Sequence, residues 1–352
     1  MTEYSLSICI PSKRNLIDSK SSISSAIGFC DSTGSELVIS DNSGNKEKSE
    51  MWKKIPLPFM KYLDNQNNTN SVWSDNWYNG IKNCSGSFIG IVSDDDILVN
   101  IGDSAIDYKN INHNDIVAIK PIISLWNSQT GVYKQNNFNI DANEAAERIK
   151  QYYSLANGNN TTYFSFYKSN ILNDIFKLLK YHPTKGGYTD WSIVLACVAS
   201  GKILVDPSKQ LIYKNNNWFG DQKYIYNQVN KLYIDCGLGE DGIIVSALLD
   251  ALDGFILIMR KNSNIDIDQK IEAAELVLNS NIKKFIETHK TYSHVKLSRD
   301  MINNINNIKL DMKIDEKLNF CIDIIASFFP LLREEYEQFY QHSTGLEWGN
   351  IF

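Results

Sequence analysis

Residues 88–98 read FIGIVSDDDIL, a short apolar run that leads into three consecutive carboxylates. The apolar part has the length and composition of a buried β-strand. Asp94, Asp95 and Asp96 then bring like charges together at the end of that strand, which is unfavourable unless a cation or hydrogen-bond donors compensate them. Carboxylate oxygens at this spacing suit Mg²⁺ or Mn²⁺. A solvated acidic loop that caps the next helix is the alternative interpretation.

The residues around this segment alternate between strand-like and helix-like patterns, which predicts an α/β fold with a mainly parallel sheet flanked by helices. Ligands of such sheets bind beyond the carboxyl ends of the strands. Polar clusters at 12–14, 41–42 and 94–96 each follow an expected strand, so we expect them to converge on one crevice. The elements expected here are strand 6–10, helix 21–29, strand 36–40, strand 59–63, helix 71–83 and strand 87–92.

The later part of the chain is first mixed and then mostly helical in pattern. This change predicts an α/β domain at 1–218 and a helical C-terminal region at 219–352. The elements expected here are strands at 116–123 and 162–167 and helices at 143–155, 190–200, 269–289 and 316–341.

Charge and cysteine usage exclude several classes of protein. The chain has 35 Lys and Arg against 41 Asp and Glu, a net charge of -6, which argues against a nucleic-acid binder. The six cysteines show no CxxC spacing, so neither a zinc site nor a disulfide framework is predicted. No signal peptide is recognisable, and the most apolar window, 242–259, contains Asp250 and Asp253. We therefore expect a cytoplasmic protein whose contact with the inner face of the plasma membrane, if any, is peripheral.

Three segments together resemble the family 2 glycosyltransferases of the GT-A fold, a Rossmann-like architecture. They are LSICIPSKRN at 6–15, ELVISDNSGN at 36–45 and NWYNGIKNCSGSFIGIVSDDD at 76–96. The motifs occur in that family's order and at its usual separations. The resemblance is specific over 4–100, fainter to about 218 and absent beyond.

That resemblance implies a bacterial, inverting hexosyl- or deoxyhexosyltransferase. Such an enzyme moves a sugar from a nucleotide-diphosphate donor to a saccharide or lipid-linked saccharide. The implied role is the synthesis of surface polysaccharide such as O-antigen or capsule.

The resemblance also implies roles for the donor-side residues. Pro11, Ser12 and Arg14 would line the nucleotide pocket, and Asp41 and Asn42 would contact the base or the ribose. One departure is that Ser-Gly at 43–44 replaces the family's small residue followed by Ser.

By the same resemblance, the acidic run forms the family's DxD motif. Asp94, Asp95 and Asp96 would hold Mn²⁺ or Mg²⁺, and Asp94 and Asp95 would also contact the donor nucleotide. The triple Asp leaves open which two residues form the motif. Spacing favours Asp94 and Asp96, with Asp95 as the rival.

Asp190 is the candidate catalytic base, because the resembled family has a carboxylate just before a helix such as 190–200. Inverting transfer needs a base beside the acceptor hydroxyl, on the side opposite the departing diphosphate. The alternative is that Asp190 only satisfies backbone amides in the first turn of the helix.

Acceptor-side candidates are fewer and rest on weaker patterns. Trp191 adjoins Asp190, and Tyr213, Asn217 and Trp218 follow an expected strand, where aromatic faces could stack on sugar rings. Packing at a domain edge explains these residues equally well. His182 lies near Asp190 in sequence and is a further candidate.

Two other functions are considered. A sugar-nucleotide pyrophosphorylase would need a Gly-rich phosphate loop after the first strand, and residues 11–15 contain no glycine. A non-catalytic carbohydrate- or nucleotide-sugar-binding protein would not need intact carboxylates at 94–96 and 190.

The helical tail either pairs protomers into a homo-oligomer or docks at the membrane, and composition does not choose between these roles. An apolar stripe within 316–341 predicts packing on the chain's own helices or on a partner protomer rather than on lipid. The stripe consists of Phe320, Ile324, Phe328, Leu331 and Leu332.

Overall fold

The computed structural model describes residues 4–65, 73–104, 106–109, 111, 115–291, 308 and 310–351. The chain divides into two compact units. Two segments before residue 218 belong to the second unit, so the units are not separated by a single boundary at that position. The first unit comprises Met1–Asp141, Ser154–Lys177 and Gly201–Asp221, and the second Ala142–Tyr153, Leu178–Ser200 and Gln222–Phe352.

The strands of the described residues all belong to the first unit. They are β1 (Leu6–Ser12), β2 (Glu36–Asp41), β3 (Met60–Asp64), β4 (Phe88–Ile91), β5 (Ile97–Asn100), β6 (Ile116–Asn127), β7 (Gly131–Asn136), β8 (Phe166–Lys168) and β9 (Lys202–Lys214). They form one sheet in the order β3-β2-β1-β4-β8-β6-β9-β5, with β7 paired to β6.

The α/β class is confirmed, and among the described strands the sheet combines four parallel with four antiparallel pairings. Strands β1 to β4 pair in parallel, as does β6 with β9. The remaining pairings of the described strands are antiparallel, because β5, β7 and β8 run against their neighbours. Every residue of β1, β2 and β4 is buried, which is why these strands read as nearly continuous apolar runs.

The described residues also contain eleven α-helices. They are α1 (Leu16–Thr33), α2 (Lys46–Lys53), α3 (Trp73–Ile81), α4 (Ala145–Ala156), α5 (Ser169–Leu178), α6 (Asp190–Ser200), α7 (Gln222–Asp235), α8 (Ser246–Ile258), α9 (Ile267–Thr291), α10 (Ile314–Phe328) and α11 (Leu332–Thr344). Residues 71 and 72 of the helix expected at 71–83 lie outside the described part of the chain.

Short loops join the first two strands to their helices because each helix starts at an asparagine cap. The Asn15 side chain accepts a hydrogen bond from the Asp18 amide at 3.0 Å, and the Asn45 side chain accepts one from the Lys48 amide at 2.7 Å. The two caps leave only a few residues between each strand end and the next helix. Those residues include Lys13, Arg14 and Asn42 of the first two polar clusters, whose other members, Ser12 and Asp41, end β1 and β2.

Two expected elements differ from the structure. The strand predicted at 162–167 is a 3₁₀ helix, Thr161–Phe164, followed by the short β8, because local side-chain bonds compete with the ladder. One such bond runs from the Ser165 hydroxyl to the Thr162 carbonyl at 2.8 Å. The helix predicted at 316–341 is interrupted, because Pro330 has no amide hydrogen and disfavours helical backbone at Phe329.

The second unit is organised around α8, which is buried along nearly its whole length and packs against α6, α9, α10 and α11. Phe320 and Ile324 of α10 are buried within this unit, so the inner part of the predicted stripe packs on the chain's own helices. Leu331, by contrast, is exposed. Within the described residues, no helix combines the length and apolar character needed to cross a membrane.

Close packing around β4 predicts opposite effects for two glycine substitutions. A Cβ at Gly90 would collide with the Phe166 ring and lie 3.2 Å from Ile8 Cδ1, whereas a Cβ at Gly28 in α1 meets nothing within 4 Å. Gly90→Ala should lower the free energy of unfolding by about 1–3 kcal/mol through overpacking. Gly28→Ala should raise it by about 0.5–1 kcal/mol. Urea denaturation of both variants measures the difference, and equal stabilities would contradict this packing.

Candidate functional site

The Asp94 carboxylate joins the end of β4 to the loop after β1. Its Oδ2 accepts hydrogen bonds from the Ser12 hydroxyl at 2.7 Å and from the backbone amides of Lys13 at 3.0 Å and Arg14 at 2.9 Å. Its Oδ1 lies 3.1 Å from Arg14 Nε. The structure therefore brings the first and third polar clusters together, because β1 and β4 are parallel neighbours.

Arg14 bridges two of the three acidic residues. Besides Asp94, its guanidinium contacts Asp95 Oδ2 at 2.6 Å, and its side chain keeps 42% of its surface exposed. Burial raises the pKa of Asp95 above its usual value, while the charge of Arg14 opposes that shift. A half-exposed guanidinium that is already oriented by two carboxylates is well placed to meet a phosphate.

Asp96 is fully buried, and its carboxylate interacts with the Ser93 hydroxyl. Its Oδ1 accepts a hydrogen bond from the Lys214 amide at 2.8 Å, at the end of β9. Within the described residues, its Oδ2 has no hydrogen-bond partner. Burial, reinforced by the charge of Asp95, raises the pKa of Asp96 to about 8. A carboxylate in this position needs a further donor or a cation to stay charged at neutral pH.

The second polar cluster is buried against the first. The Asn42 amide donates to the Ser12 carbonyl at 3.0 Å, and the Asn42 side chain accepts from Asn76 at 3.2 Å. Asp41 Oδ1 accepts from the Ser43 amide at 3.0 Å. Pro11 pairs with Ser40 within the sheet and is also buried. The three clusters thus converge, with Lys13 and Arg14 exposed and Ser12, Asp41 and Asn42 beneath them.

Sequence reasoning missed Lys48, which lies in the first turn of α2. Its ammonium is completely buried and contacts Ser12, the Arg14 carbonyl and Asp41. A signal was available in the sequence. A cation in the first turn of a helix opposes the helix dipole, so it needs a partner, and Asp41 lies just before that helix.

Asp190 is the first residue of α6 and belongs to the second unit, whereas the acidic run belongs to the first. The Ile193 amide donates to the carbonyl of Thr189 at 2.9 Å, so Thr189 holds the cap position. The charge of Asp190 adds to burial in raising the pKa of Asp250 to about 7. Trp191 packs its ring 5.8 Å from the ring of Tyr152.

His182 is completely buried, so its side chain lies in the core of the second unit and not on a surface that an acceptor reaches. Its Nδ1 accepts from the amides of Thr184 at 3.2 Å and Gly186 at 3.1 Å. These donors assign the hydrogen to Nε2, which lies 2.9 Å from Asp253 Oδ1. Tyr336 of α11 donates to the same oxygen at 2.9 Å. The network ties the loop before α6 to helices α8 and α11.

The other acceptor-side candidates lie at the end of β9. Tyr213 is half-buried, with its ring 4.9 Å from the Phe164 ring. Trp218 is 37% exposed, and the side chain of Asn217 lies outside the described part of the structure. The exposed rings of Tyr133 and Phe219, 5.5 Å apart, extend this aromatic surface, and no pattern in the sequence singled them out.

The buried network predicts a large cost for removing one hydroxyl. Tyr336→Phe removes the donor to Asp253 and should lower the free energy of unfolding by about 1–3 kcal/mol. The matched control is Tyr226→Phe, because Tyr226 is exposed and the change should stay within about 0.5 kcal/mol. Guanidinium denaturation compares the two variants, and a Tyr336→Phe protein as stable as the control would refute the role of the network.

Comparisons with known proteins find weak likeness to crystal structures of S. aureus TarS. The TarS 1-349 structure shares 13% identity, with 96% of this chain and 88% of that chain covered and a TM-score of 0.49. The same fragment in complex with UDP is 12% identical, with the same coverage of both chains and a TM-score of 0.46. Its complex with UDP-GlcNAc is also 12% identical, again with 96% of this chain and 88% of that chain covered, and has a TM-score of 0.44.

No family model matches the sequence, and a search of curated protein sequences finds no match. Likeness at the level of the TarS structures carries no argument about function.

Proposed function

We propose that this chain is a glycosyltransferase that uses a nucleotide-sugar donor. The observation that carries the proposal is the cluster at the ends of β1, β2 and β4, where Asp94 and Asp95 orient a half-exposed Arg14. Open α/β sheets bind ligands beyond the carboxyl ends of their strands. The GT-A architecture and the assignment to family 2 belong to the same proposal and rest on the resemblance of the three sequence segments.

The donor diphosphate needs positive charge, since the chain carries a net charge of -6. Arg14 offers a planar guanidinium that binds phosphate oxygens in pairs. The exposed Lys13 on the same loop adds a second cation near the site. Donor binding in this proposal combines these two side chains with the acidic run.

We also propose that a divalent cation, Mn²⁺ or Mg²⁺, binds at the other two carboxylates of the acidic run. The Asp96 carboxylate and the partly neutralised Asp95 are the proposed ligands. Asp94, which spacing favoured, has both oxygens already engaged by Ser12, Arg14 and backbone amides. The described residues contain no group of three His, Cys, Asp or Glu side chains that could hold a metal ion. The proposed cation would take its other ligands from water and the donor phosphates. Such a cation would stabilise charge on the leaving diphosphate.

Asp190 is the proposed base on the acceptor. Its carboxylate takes the proton of the acceptor hydroxyl as that oxygen attacks the anomeric carbon and the bond to the nucleotide diphosphate breaks. Attack opposite the leaving group inverts the configuration. The first residue of α6 is a rigid place for a base, because residues 192–199 of that helix are buried.

The remaining features of the proposal concern the acceptor and its place in the cell. Trp191, Tyr213 and Trp218 are the proposed acceptor-side contacts. The acceptor is a saccharide or lipid-linked saccharide of a surface polysaccharide, O-antigen or capsule, and the sugar is a hexose or deoxyhexose. The enzyme works in the cytoplasm, with peripheral contact at the inner membrane or with pairing of protomers through its C-terminal helices.

Nucleotide binding should depend on the cation. Calorimetric titration with UDP, GDP, dTDP and CDP should find one preferred nucleotide whose affinity falls about tenfold or more when EDTA replaces Mn²⁺. Asp96→Asn should lose the Mn²⁺-dependent part of that affinity, because the amide is a poor substitute for a charged ligand. The control Asp31→Asn, an exposed change in α1, should retain it. Equal affinity in Mn²⁺ and EDTA would exclude the cation and favour a binding protein that uses Arg14 alone.

Asp190→Asn should separate catalysis from helix capping. The amide keeps the shape of the side chain but takes no proton, so nucleotide release from the preferred nucleotide sugar should slow about 10²–10⁴-fold. Nucleotide affinity should stay unchanged, and stability should change by about 1 kcal/mol or less. Asp268→Asn, the same change in the first turn of α9, is the control and should leave turnover intact. A stable Asp190→Asn protein with normal turnover means that another carboxylate is the base.

A further inference from the structure

We propose that Lys48 is a positioning residue of the donor site, whose buried ammonium holds the loop after β1 and the end of β2 in the conformation that receives the nucleotide. This inference rests on the function proposed above. Lys48 lies under the loop and is completely buried, so it acts through its neighbours and not by touching the donor.

The three hydrogens of the ammonium match three partners. Lys48 Nζ lies 2.5 Å from Ser12 Oγ, 2.8 Å from the Arg14 carbonyl oxygen and 3.1 Å from Asp41 Oδ1. A buried ammonium that loses a partner is strongly disfavoured, because the charge is then neither hydrated nor fully hydrogen-bonded. Ser12 ends β1, Arg14 lies in the loop after it, and Asp41 ends β2. The charge therefore fixes these two segments relative to each other.

The influence of Lys48 reaches the acidic run through one hydroxyl. Ser12 Oγ accepts a hydrogen bond from the Lys48 ammonium. The hydroxyl hydrogen of Ser12 is therefore directed toward Asp94 Oδ2, which lies 2.7 Å from Ser12 Oγ. The same oxygen of Asp94 accepts from the Arg14 amide, and the Arg14 carbonyl accepts from Lys48. Lys48 thus binds the backbone carbonyl of Arg14, while Asp94 binds the backbone amide and the guanidinium of Arg14. The exposed guanidinium of Arg14 depends on both.

Helix stability does not explain this lysine. Lys48 occupies the first turn of α2, three residues after the cap Asn45, where the helix dipole disfavours a cation. A buried ion pair is also weak evidence of stability, since apolar replacements are often tolerated. A positioning role therefore has to be tested by a measurement other than stability. Nucleotide selectivity is suitable, because Lys48 contacts Asp41, which lies at the strand end proposed to contact the base or the ribose.

The test compares Lys48→Met with Lys53→Met. Lys53 lies on the same helix, and its ammonium pairs with Asp64 at 2.5 Å with half of its side chain exposed. Both changes remove one positive charge from α2, but only the first removes contacts to Ser12, Arg14 and Asp41. Affinity for UDP, GDP, dTDP and CDP is measured by calorimetry in Mn²⁺, at a temperature where circular dichroism shows each variant to be folded.

Lys48→Met should weaken the preferred nucleotide about ten- to a hundredfold and bring the four affinities closer together. Lys53→Met should change them by about twofold or less. Partial unfolding alone would scale all four affinities equally and leave their ratios unchanged. If Lys48→Met fails to fold, Lys48→Arg replaces it, and the larger guanidinium should also reduce selectivity because it cannot reproduce the three contacts.

Two results would overturn the inference in different ways. Wild-type affinities and ratios in a folded Lys48 variant would mean that the lysine only fills the core, while the proposed function stands. A wild-type protein that binds none of the four nucleotides contradicts the proposed function, and the positioning role falls with it.

Discussion

The hydrogen bonds that the Asp94 carboxylate accepts from the loop after β1 are the contacts on which the rest of the site depends. Three adjacent carboxylates would repel one another, but here each has a different environment. Asp94 is held by a hydroxyl, two amides and a guanidinium. Asp95 shares that guanidinium, and Asp96 turns into the core toward the end of β9. A repulsive run thereby becomes one structural anchor, one partly neutralised carboxylate and one buried carboxylate.

The sequence predicted the part of the site that follows from strand order. Continuous apolar runs identified β1, β2 and β4, and parallel pairing brought the polar residues after them together. Contacts between residues that are far apart in the sequence could not be predicted from it. Nothing in the sequence pairs Lys48 with Ser12, and the Asp253 carboxylate that is hydrogen-bonded to the buried His182 lies 71 residues away. The sequence does contain the signal for the interruption, because Pro330 disfavours helical backbone at the residue before it.

The second unit supplies the structural setting of Asp190. Buried bonds from His182 to Asp253, and from Asp253 to Tyr336, connect the loop before α6 to the central helix and to a C-terminal helix. The C-terminal helices therefore support the segment that carries the proposed base. This gives the helical tail a role within its own unit, whether or not it also pairs protomers or meets a membrane.

The central claim is that the ends of β1, β2 and β4 receive the nucleotide of a sugar donor. A crystal structure of the protein soaked with its best-binding nucleoside diphosphate and Mn²⁺ tests this claim most directly. We expect electron density for the nucleotide over the loop 12–14, with the diphosphate beside Arg14. A nucleotide bound elsewhere on the protein, with the Arg14 guanidinium still paired with Asp94 and Asp95 alone, would contradict the claim.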